Sequence, residues 1–230
     1  MASEPIKLIS SMATKEVLAD LIAQYQKSVQ QAVAAKSAGG VEVARRVQAG
    51  EAVDVVVLAA NVIDQLIAEG KLLAGSRVDL VQSGVAVAVA EGAARPDIST
   101  EDALRQSVLA VSTLSYSTGP SGLYLLKLFE RWGILDTIKP RIVQAPPGVP
   151  VGSLVAKGEV ELGFQQLSEL MNLQGITVLG PLPPGIQLLT TFSAGIAATS
   201  GQADAARALI AFMAAPAAAA AKRKHGMDPV

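Results

Sequence analysis

Short apolar runs alternate with helical patterns from the start of the chain, and this alternation constrains the fold most. Strands are predicted at residues 6–10, 54–58, 85–90, 108–113 and 161–165. The helical patterns between and after them cover residues 14–30, 62–69, 121–132 and 167–171. Strands that alternate with helices form βαβ units around a largely parallel sheet. The sequence therefore predicts an α/β fold with mixed, mostly parallel sheets.

Two longer apolar segments, 81–90 and 188–198, predict strands that cross from one lobe to another and act as a hinge. On this interpretation, residues 1–82 and 190–230 form lobe I, and residues 83–189 form an inserted lobe II. Ligands of such architectures bind at the carboxyl ends of strands and at domain interfaces, so we expect a ligand cleft between the lobes. The proline-rich segments 145–150 and 180–185 predict rigid turns.

Composition excludes several classes of function. Nineteen basic residues against 20 acidic ones give a net charge of −1, which argues against binding to nucleic acid or to anionic membranes. The 230-residue chain contains no cysteine, which excludes disulfides, thiolate zinc sites and cysteine nucleophiles. Histidine or carboxylate pairs at metal-ligand spacing are absent, as are the P-loop and the GxGxxG fingerprint. We therefore expect neither a metal nor a cofactor.

The first ten residues, MASEPIKLIS, have one lysine and lack the apolar core of ~7–15 residues that a secretory signal peptide needs. We expect a periplasmic protein if a signal peptide has been removed, and a cytoplasmic one otherwise. The longest apolar runs, such as 53–60 with Asp54 discounted, are shorter than the ~20 residues of a membrane span. No membrane insertion is expected, and we expect a monomer.

Small polar residues follow three strand ends and precede helices, which is typical of anion sites. The residues in question are Ser10, Ser11, Gly39, Gly40, Thr118, Pro120 and Ser121. Helix amino termini expose N–H groups and the positive end of the helix dipole, so three of them together would bind an anion without arginine. The alternative is that each serine or threonine only caps its helix.

Polar residues also end the apolar strand that is predicted at 161–165. Gln165 and Gln166 can present amide donors to a ligand, although a surface turn would also tolerate them. Glu169 is a candidate general base, or simply a charge that complements the helix dipole. The only histidine, His225, lies in a basic cluster near the C-terminus, where a solvated position late in a helix explains it without catalysis.

The chain resembles the molybdate-binding proteins of ABC transporters along most of its length. The resemblance lies in GVEVARRVQAGEAVDVVVLAA at 40–60, GPSGLYLLKLFERW at 119–132, and the segment that begins at 160. It implies a two-lobed periplasmic-binding-protein type II architecture, a small anionic ligand (oxyanion or carboxylate) and an ABC permease as partner. Pro120 and Ser121 would supply backbone donors, Val149 would lie on the neighbouring loop, and Gln166 replaces a ligand-contacting tyrosine.

Within this family, the residues around Tyr116, Ser121 and 163–170 resemble a divergent branch that includes bacterial aconitate isomerases. An isomerase needs a proton acceptor and donor beside a carboxylate-binding site, and the candidates are Tyr116, Lys15 and Glu169. Three hypotheses follow: a passive solute-binding protein, an isomerase of a small polycarboxylate on the same scaffold, and a ligand-responsive domain of a larger regulator.

Overall fold

The protein is described here by a computed structural model that covers residues 4–146 and 148–230. The chain divides into two compact units. Unit 1 contains residues 4–83 and Thr190–Val230, and unit 2 contains Gly84–Leu189.

Unit 1 is built on a mixed sheet with helices on both faces. Its strands are β1 (Ile6–Ser11), β2 (Val33–Ala38), β3 (Val55–Ala59), the first part of β4 (Val78–Ala90), β8 (Leu189–Ile196) and β9 (Asp228–Pro229). Its helices are α1 (Lys15–Ser28), α2 (Gly40–Gln48), α3 (Ala60–Ala68), α9 (Ala203–Ala214) and α10 (Ala219–Lys224). Strand β1 pairs in parallel with β2 and β3, while β8 is antiparallel to β3 and β9 is antiparallel to β4.

Alternating side chains on the central strands of unit 1 supply two separate cores. Val55 and Val57 of β3 face a core formed with α1, α9 and α10, whereas Val56 and Leu58 face a core formed with α2 and α3. A strand that is covered on both faces is apolar at every position, which explains the continuous VVVLA run of β3.

Unit 2 contains a smaller mixed sheet. Its strands are the remainder of β4, β5 (Leu114–Tyr116), β6 (Leu162–Gln166) and β7 (Ile176–Pro181). Its helices are α4 (Glu101–Ala110), α5 (Pro120–Arg131), α6 (Leu135–Ile138), α7 (Val151–Ala156) and α8 (Leu167–Leu170). Strand β6 is parallel to β5 and antiparallel to β4, and β7 is antiparallel to β4.

The two faces of β4 in unit 2 carry side chains of different size. Val85, Val87 and Val89 join the main core with Leu125 and Phe129 of α5. The small side chains of Ala86 and Ala88 pack against Leu170 of α8 instead. Because these alanines are small, α8 packs close to the sheet, at the end of β6 where Gln165 and Gln166 lie.

Two expectations for secondary structure in unit 2 were wrong. Residues 108–110, which we assigned to a strand, end α4, and β5 begins only at Leu114. The helix starts because the Thr100 hydroxyl accepts a hydrogen bond from the Ala103 N–H at 3.1 Å, and the helical period buries Leu104 and Val108. The predicted turn at 180–185 is also shorter, since β7 continues through Pro181.

The basic cluster at the C-terminus is less solvated than we expected. Lys222 is only 1% exposed, and His225 contacts Asp20 of α1 at 3.1 Å through Nε2. In the described residues, no single helix is long and apolar enough to cross a membrane. One bent pair, Ala203–Ala214 with Pro216–Lys224, meets that test by length and composition only, and its Leu209 and Met213 side chains are buried in the core.

Candidate functional site

Two parallel strands of unit 2 end at the same edge of its sheet and bring two polar segments together. Tyr116 of β5 is paired in register with Phe164 of β6, so Ser117 follows β5 where Gln165 and Gln166 end β6. Both glutamine side chains are buried at 3% exposure. This edge, formed by residues 117–121 and 165–169, is called the β5–β6 edge below. Carboxyl ends of parallel strands are the usual ligand positions of α/β sheets.

Helix α5 begins directly against this edge. The Ser117 and Ser121 hydroxyls lie 2.9 Å apart, and Ser121 is buried at 2% exposure. Pro120 has no N–H, and the N–H groups of Gly122 and Leu123 donate to the Gly119 carbonyl. Within the described part of the chain, the backbone N–H of Ser121 in the first turn of α5 therefore makes no hydrogen bond inside the helix. It is available to a ligand.

Glu169 in α8 is held by a chain of hydrogen bonds. The side-chain N–H of Gln165 donates to Glu169 Oε1 at 2.9 Å, and Gln165 Oε1 accepts from the Gly152 N–H at 3.2 Å. Desolvation by the surrounding protein raises the pKa of the Glu169 carboxyl to about 7, and the hydrogen bond from Gln165 opposes that rise. At neutral pH this carboxyl is present in both its protonated and ionised forms.

The neighbouring side chains fall into two groups. The Ser115 and Ser168 hydroxyls are buried and have no hydrogen-bond partner within the described residues. Thr118 and Pro120 are exposed, and the Val149 N–H donates to the Pro146 carbonyl at 3.0 Å. Residue 147 of the predicted turn lies outside the described residues.

The three candidate catalytic residues differ in their surroundings. The Tyr116 ring packs edge-on against Phe129 in the core, and burial raises the pKa of its hydroxyl, so it stays protonated at neutral pH. Lys15 is half exposed, with an ion pair to Glu16 at 3.7 Å. Glu169 combines partial burial with a pKa near neutrality.

Unit 1 carries a second hydroxyl cluster, at the ends of β1 and β2. Ser10 and Ser37 are register partners whose hydroxyls lie 2.9 Å apart. Ser11 and Thr14 are buried, and the Thr14 hydroxyl donates to the Ser11 carbonyl at 3.1 Å. Thr14 was not among the residues predicted for the site, and the available signal was its position three residues after Ser11 in a tight turn.

Glycines bring helix α2 close to the hydroxyl cluster of unit 1. Gly39 precedes the helix and Gly40 begins it, and a Cβ at Gly40 would lie 3.9 Å from Ser11 Cβ. The hydroxyl of Ser11 is therefore close to the amino terminus of α2. Each unit thus presents hydroxyl groups beside a helix start, which is an arrangement that suits an oxygen-rich anion.

No group of three histidine, cysteine, aspartate or glutamate side chains in residues 4–146 and 148–230 is placed to hold a metal ion. An open depression of about 790 Å³ in unit 2 is lined by Glu101, Arg105, Arg131 and Trp132. Arg131 and Trp132 already bind the Glu101 carboxylate, whereas Arg105 Nε is buried and has no hydrogen-bond partner within the described residues.

The α/β architecture is that of the type II periplasmic-binding-protein fold. The chain belongs to the bacterial extracellular solute-binding protein family, whose profile matches residues 6–228. It is 40% identical over 188 residues to an aconitate isomerase from Pseudomonas sp., a match that covers 80% of this chain and 71% of that protein.

Solved structures show the same fold. The periplasmic molybdate-binding protein of Azotobacter vinelandii superposes with a TM-score of 0.80 at 22% identity, over 96% of this chain and 98% of that one. The tungstate ABC transporter protein from Geobacter sulfurreducens gives a TM-score of 0.78 at 16% identity, over 97% of this chain and all of the other. At these sequence identities the likeness establishes the fold and does not identify the ligand.

Proposed function

We propose that this protein binds a small polycarboxylate of the aconitate type and isomerises it by proton transfer through Glu169. The observation that carries the proposal is the Glu169 carboxyl, whose pKa is raised to about 7 at the β5–β6 edge. A group with a pKa near the working pH serves as both acceptor and donor of a proton. The identity to an aconitate isomerase supports the choice of substrate.

The chemistry requires a single group that removes a proton and returns it. A carboxylate form of Glu169 would take a proton from the methylene carbon of aconitate, and the C–H electron pair would spread over the three allylic carbons. The protonated carboxyl would then return the proton to the other outer carbon, and the double bond would move by one position. Both outer carbons carry a carboxylate, so the product is again aconitate, in either the cis or the trans form.

Ligand binding would use donors that the fold already provides. At the β5–β6 edge these are the Ser121 N–H and the Ser117 and Ser121 hydroxyls. Unit 1 carries hydroxyl groups of its own at Ser10 and Ser11, whereas the Thr14 proton is already donated to the Ser11 carbonyl. Lys15 follows Thr14 directly, and its exposed pair with Glu16 is weak enough to leave the ammonium available to a carboxylate.

A passive solute-binding protein is the second candidate. The neutral hydroxyl groups at the strand ends of both units favour it, because such donors bind oxyanions without any catalytic group. On this proposal a small anion is captured in the periplasm and delivered to an ABC permease. The molybdate-binding and tungstate-transport proteins of the same fold support it.

A thermal-shift screen followed by a proton-exchange assay separates the two candidates. We expect cis- and trans-aconitate to raise the melting temperature by linkage, and ¹H NMR in D₂O to show interconversion with deuterium entering the outer carbons. Glu169→Gln should keep the thermal shift and lose at least about 100-fold in turnover.

Glu159→Gln is the matched control. Glu159 is an exposed glutamate of the same unit, so this variant should behave as wild type. Stabilisation by molybdate or tungstate alone, without aconitate turnover, would replace the isomerase with the transport protein.

A further inference from the structure

Gln165 makes two hydrogen bonds that fix the orientation of its side-chain amide. Its oxygen accepts from the Gly152 N–H at 3.2 Å, and its nitrogen donates to Glu169 at 2.9 Å. The Gly152 N–H can only donate, so the amide oxygen must face it and the amide nitrogen must face Glu169. Gln165 is 3% exposed, so water does not compete for either contact.

Two glycines hold the Gly152 N–H in place. A Cβ at Gly152 would overlap Leu173 and lie 3.0 Å from Leu170 Cδ2, so a larger residue where α7 starts would force both leucine side chains to move. A Cβ at Gly163 of β6 would lie 2.5 Å from Val155 Cγ2, so a larger residue there would also push on the face of α7 that packs on the strand. The amide donor that orients Gln165 is therefore part of a tightly packed junction.

We propose that Gln165 is the positioning residue of the β5–β6 edge: its anchored amide holds Oε1 of Glu169 and leaves Oε2 to exchange a proton with the substrate. This inference rests on the proposed function of Glu169. No hydrogen bond to Oε2 is formed within the described residues. A carboxyl that is held at one oxygen presents the other in a fixed direction, which proton transfer to carbon requires.

The hydrogen bond also sets the proton affinity of Glu169. An N–H donor stabilises the ionised carboxylate, so it lowers the pKa against the larger desolvation effect that raises it to about 7. Without the donor, the carboxyl would hold its proton to higher pH and be a base over a narrower range. Gln165 thus contributes both the direction and the availability of the base.

Two substitutions of Gln165 test the proposal. Gln165→Met keeps the volume and removes both hydrogen bonds. Gln165→Glu keeps an acceptor for the Gly152 N–H and places a second carboxyl against Glu169. Gln187→Met is the control, because Gln187 also donates to and accepts from a strand backbone, that of Val85 at 3.0 Å, in the same unit.

We expect the acid limb of the turnover profile to move to higher pH, by about one pH unit in Gln165→Met and further in Gln165→Glu. The kcat of Gln165→Met should fall about 10-fold, while KM changes less than about 2-fold. Gln187→Met should lower the melting temperature without moving the profile. If Gln165 had only a structural role, its variants would lower the melting temperature without moving the acid limb of the profile.

The pKa of Glu169 is measured separately, by ¹³C NMR titration of carboxyl-labelled glutamate in the folded protein without substrate. An upward shift in both Gln165 variants, with none in Gln187→Met, would support the inference even if the protein turned over no substrate, in which case only the proposed function fails. An unchanged Glu169 pKa in the two folded Gln165 variants would overturn it. If Gln165→Met does not fold, Gln165→Glu decides the question, since it keeps the contact to Gly152.

Discussion

A Cβ atom at Gly122 would overlap the carbonyl oxygen of Ser117, so α5 can begin against the end of β5 only because residue 122 is glycine. This contact brings the Ser121 hydroxyl to 2.9 Å from that of Ser117. The position of the donors at the β5–β6 edge therefore depends on a residue that does not itself bind anything.

Gly122→Ala should displace the start of α5 and cost about 2 kcal/mol or more, because backbone atoms cannot move aside as a side-chain tip can. We expect the melting temperature to fall by about 5 °C and ligand binding to be lost. Gly119→Ala is the control, since its Cβ would meet nothing nearer than Ser117 Oγ at 4.0 Å. Equal effects of the two substitutions would show that the close approach at Gly122 is not needed.

Ser121→Ala tests the hydroxyl group at the same edge. It removes the partner of Ser117 and one proposed ligand donor, and it leaves the backbone N–H in place. Affinity measured by calorimetry should fall about 5- to 30-fold, as expected when one hydrogen bond of about 1–2 kcal/mol is lost. Ser107→Ala removes a comparable hydrogen bond, from Ser107 to the Asp97 carbonyl, away from the edge. It should lower stability and leave affinity unchanged.

The periodic parts of this fold could be predicted from the sequence. The first strand and helix, predicted at 6–10 and 14–30, appear as Ile6–Ser11 and Lys15–Ser28. Such segments are predictable because a buried strand or an amphipathic helix repeats its apolar residues at a fixed spacing. The strand predicted at 108–113 was wrong in its first half because Val108 and Val111 have strand propensity, while the Thr100 cap and the buried face of α4 decide the conformation up to residue 110.

The surroundings of Glu169 could not be predicted from the sequence, for a different reason. Its place after β6 identified it as a candidate base, but an unpaired carboxylate in a first helical turn is usually solvated. Its pKa depends on desolvation and on Gln165, whose orientation in turn depends on Gly152, a residue thirteen positions away. Packing between α7, α8 and β6 brings these groups together, and no local pattern records it.

The raised pKa of Glu169 predicts a specific dependence of stability on pH. A carboxyl whose pKa is about 7 when folded and 4.5 when unfolded binds more protons in the folded state between those values. Stability from this group is therefore complete below about pH 4.5 and is lost as the pH rises through 7. Glu169→Gln removes the dependence, because its amide does not titrate.

The wild-type protein should lose on the order of 3 kcal/mol relative to Glu169→Gln between pH 4.5 and 8, or roughly 6–12 °C in melting temperature. Scanning calorimetry of both proteins across this range measures the difference, and the effects of all other titrating groups cancel in it. A constant difference in melting temperature across the range would mean that Glu169 titrates as an ordinary surface carboxyl.

Ligand binding should be coupled to proton uptake at the same carboxyl. An anionic ligand near Glu169 raises its pKa further, since a like charge disfavours the ionised form. At pH 7.5 most of the ligand-free protein is ionised at this position, so binding should take up about half a proton. At pH 5.5 the carboxyl is already protonated and its contribution to uptake should vanish.

Calorimetric titration of aconitate in buffers of different ionisation enthalpy measures the number of protons taken up on binding. Subtraction of the Glu169→Gln value removes protons taken up by the ligand itself. Equal uptake in the two proteins at pH 7.5 would place the bound anion away from Glu169 and remove the basis for proton transfer through it.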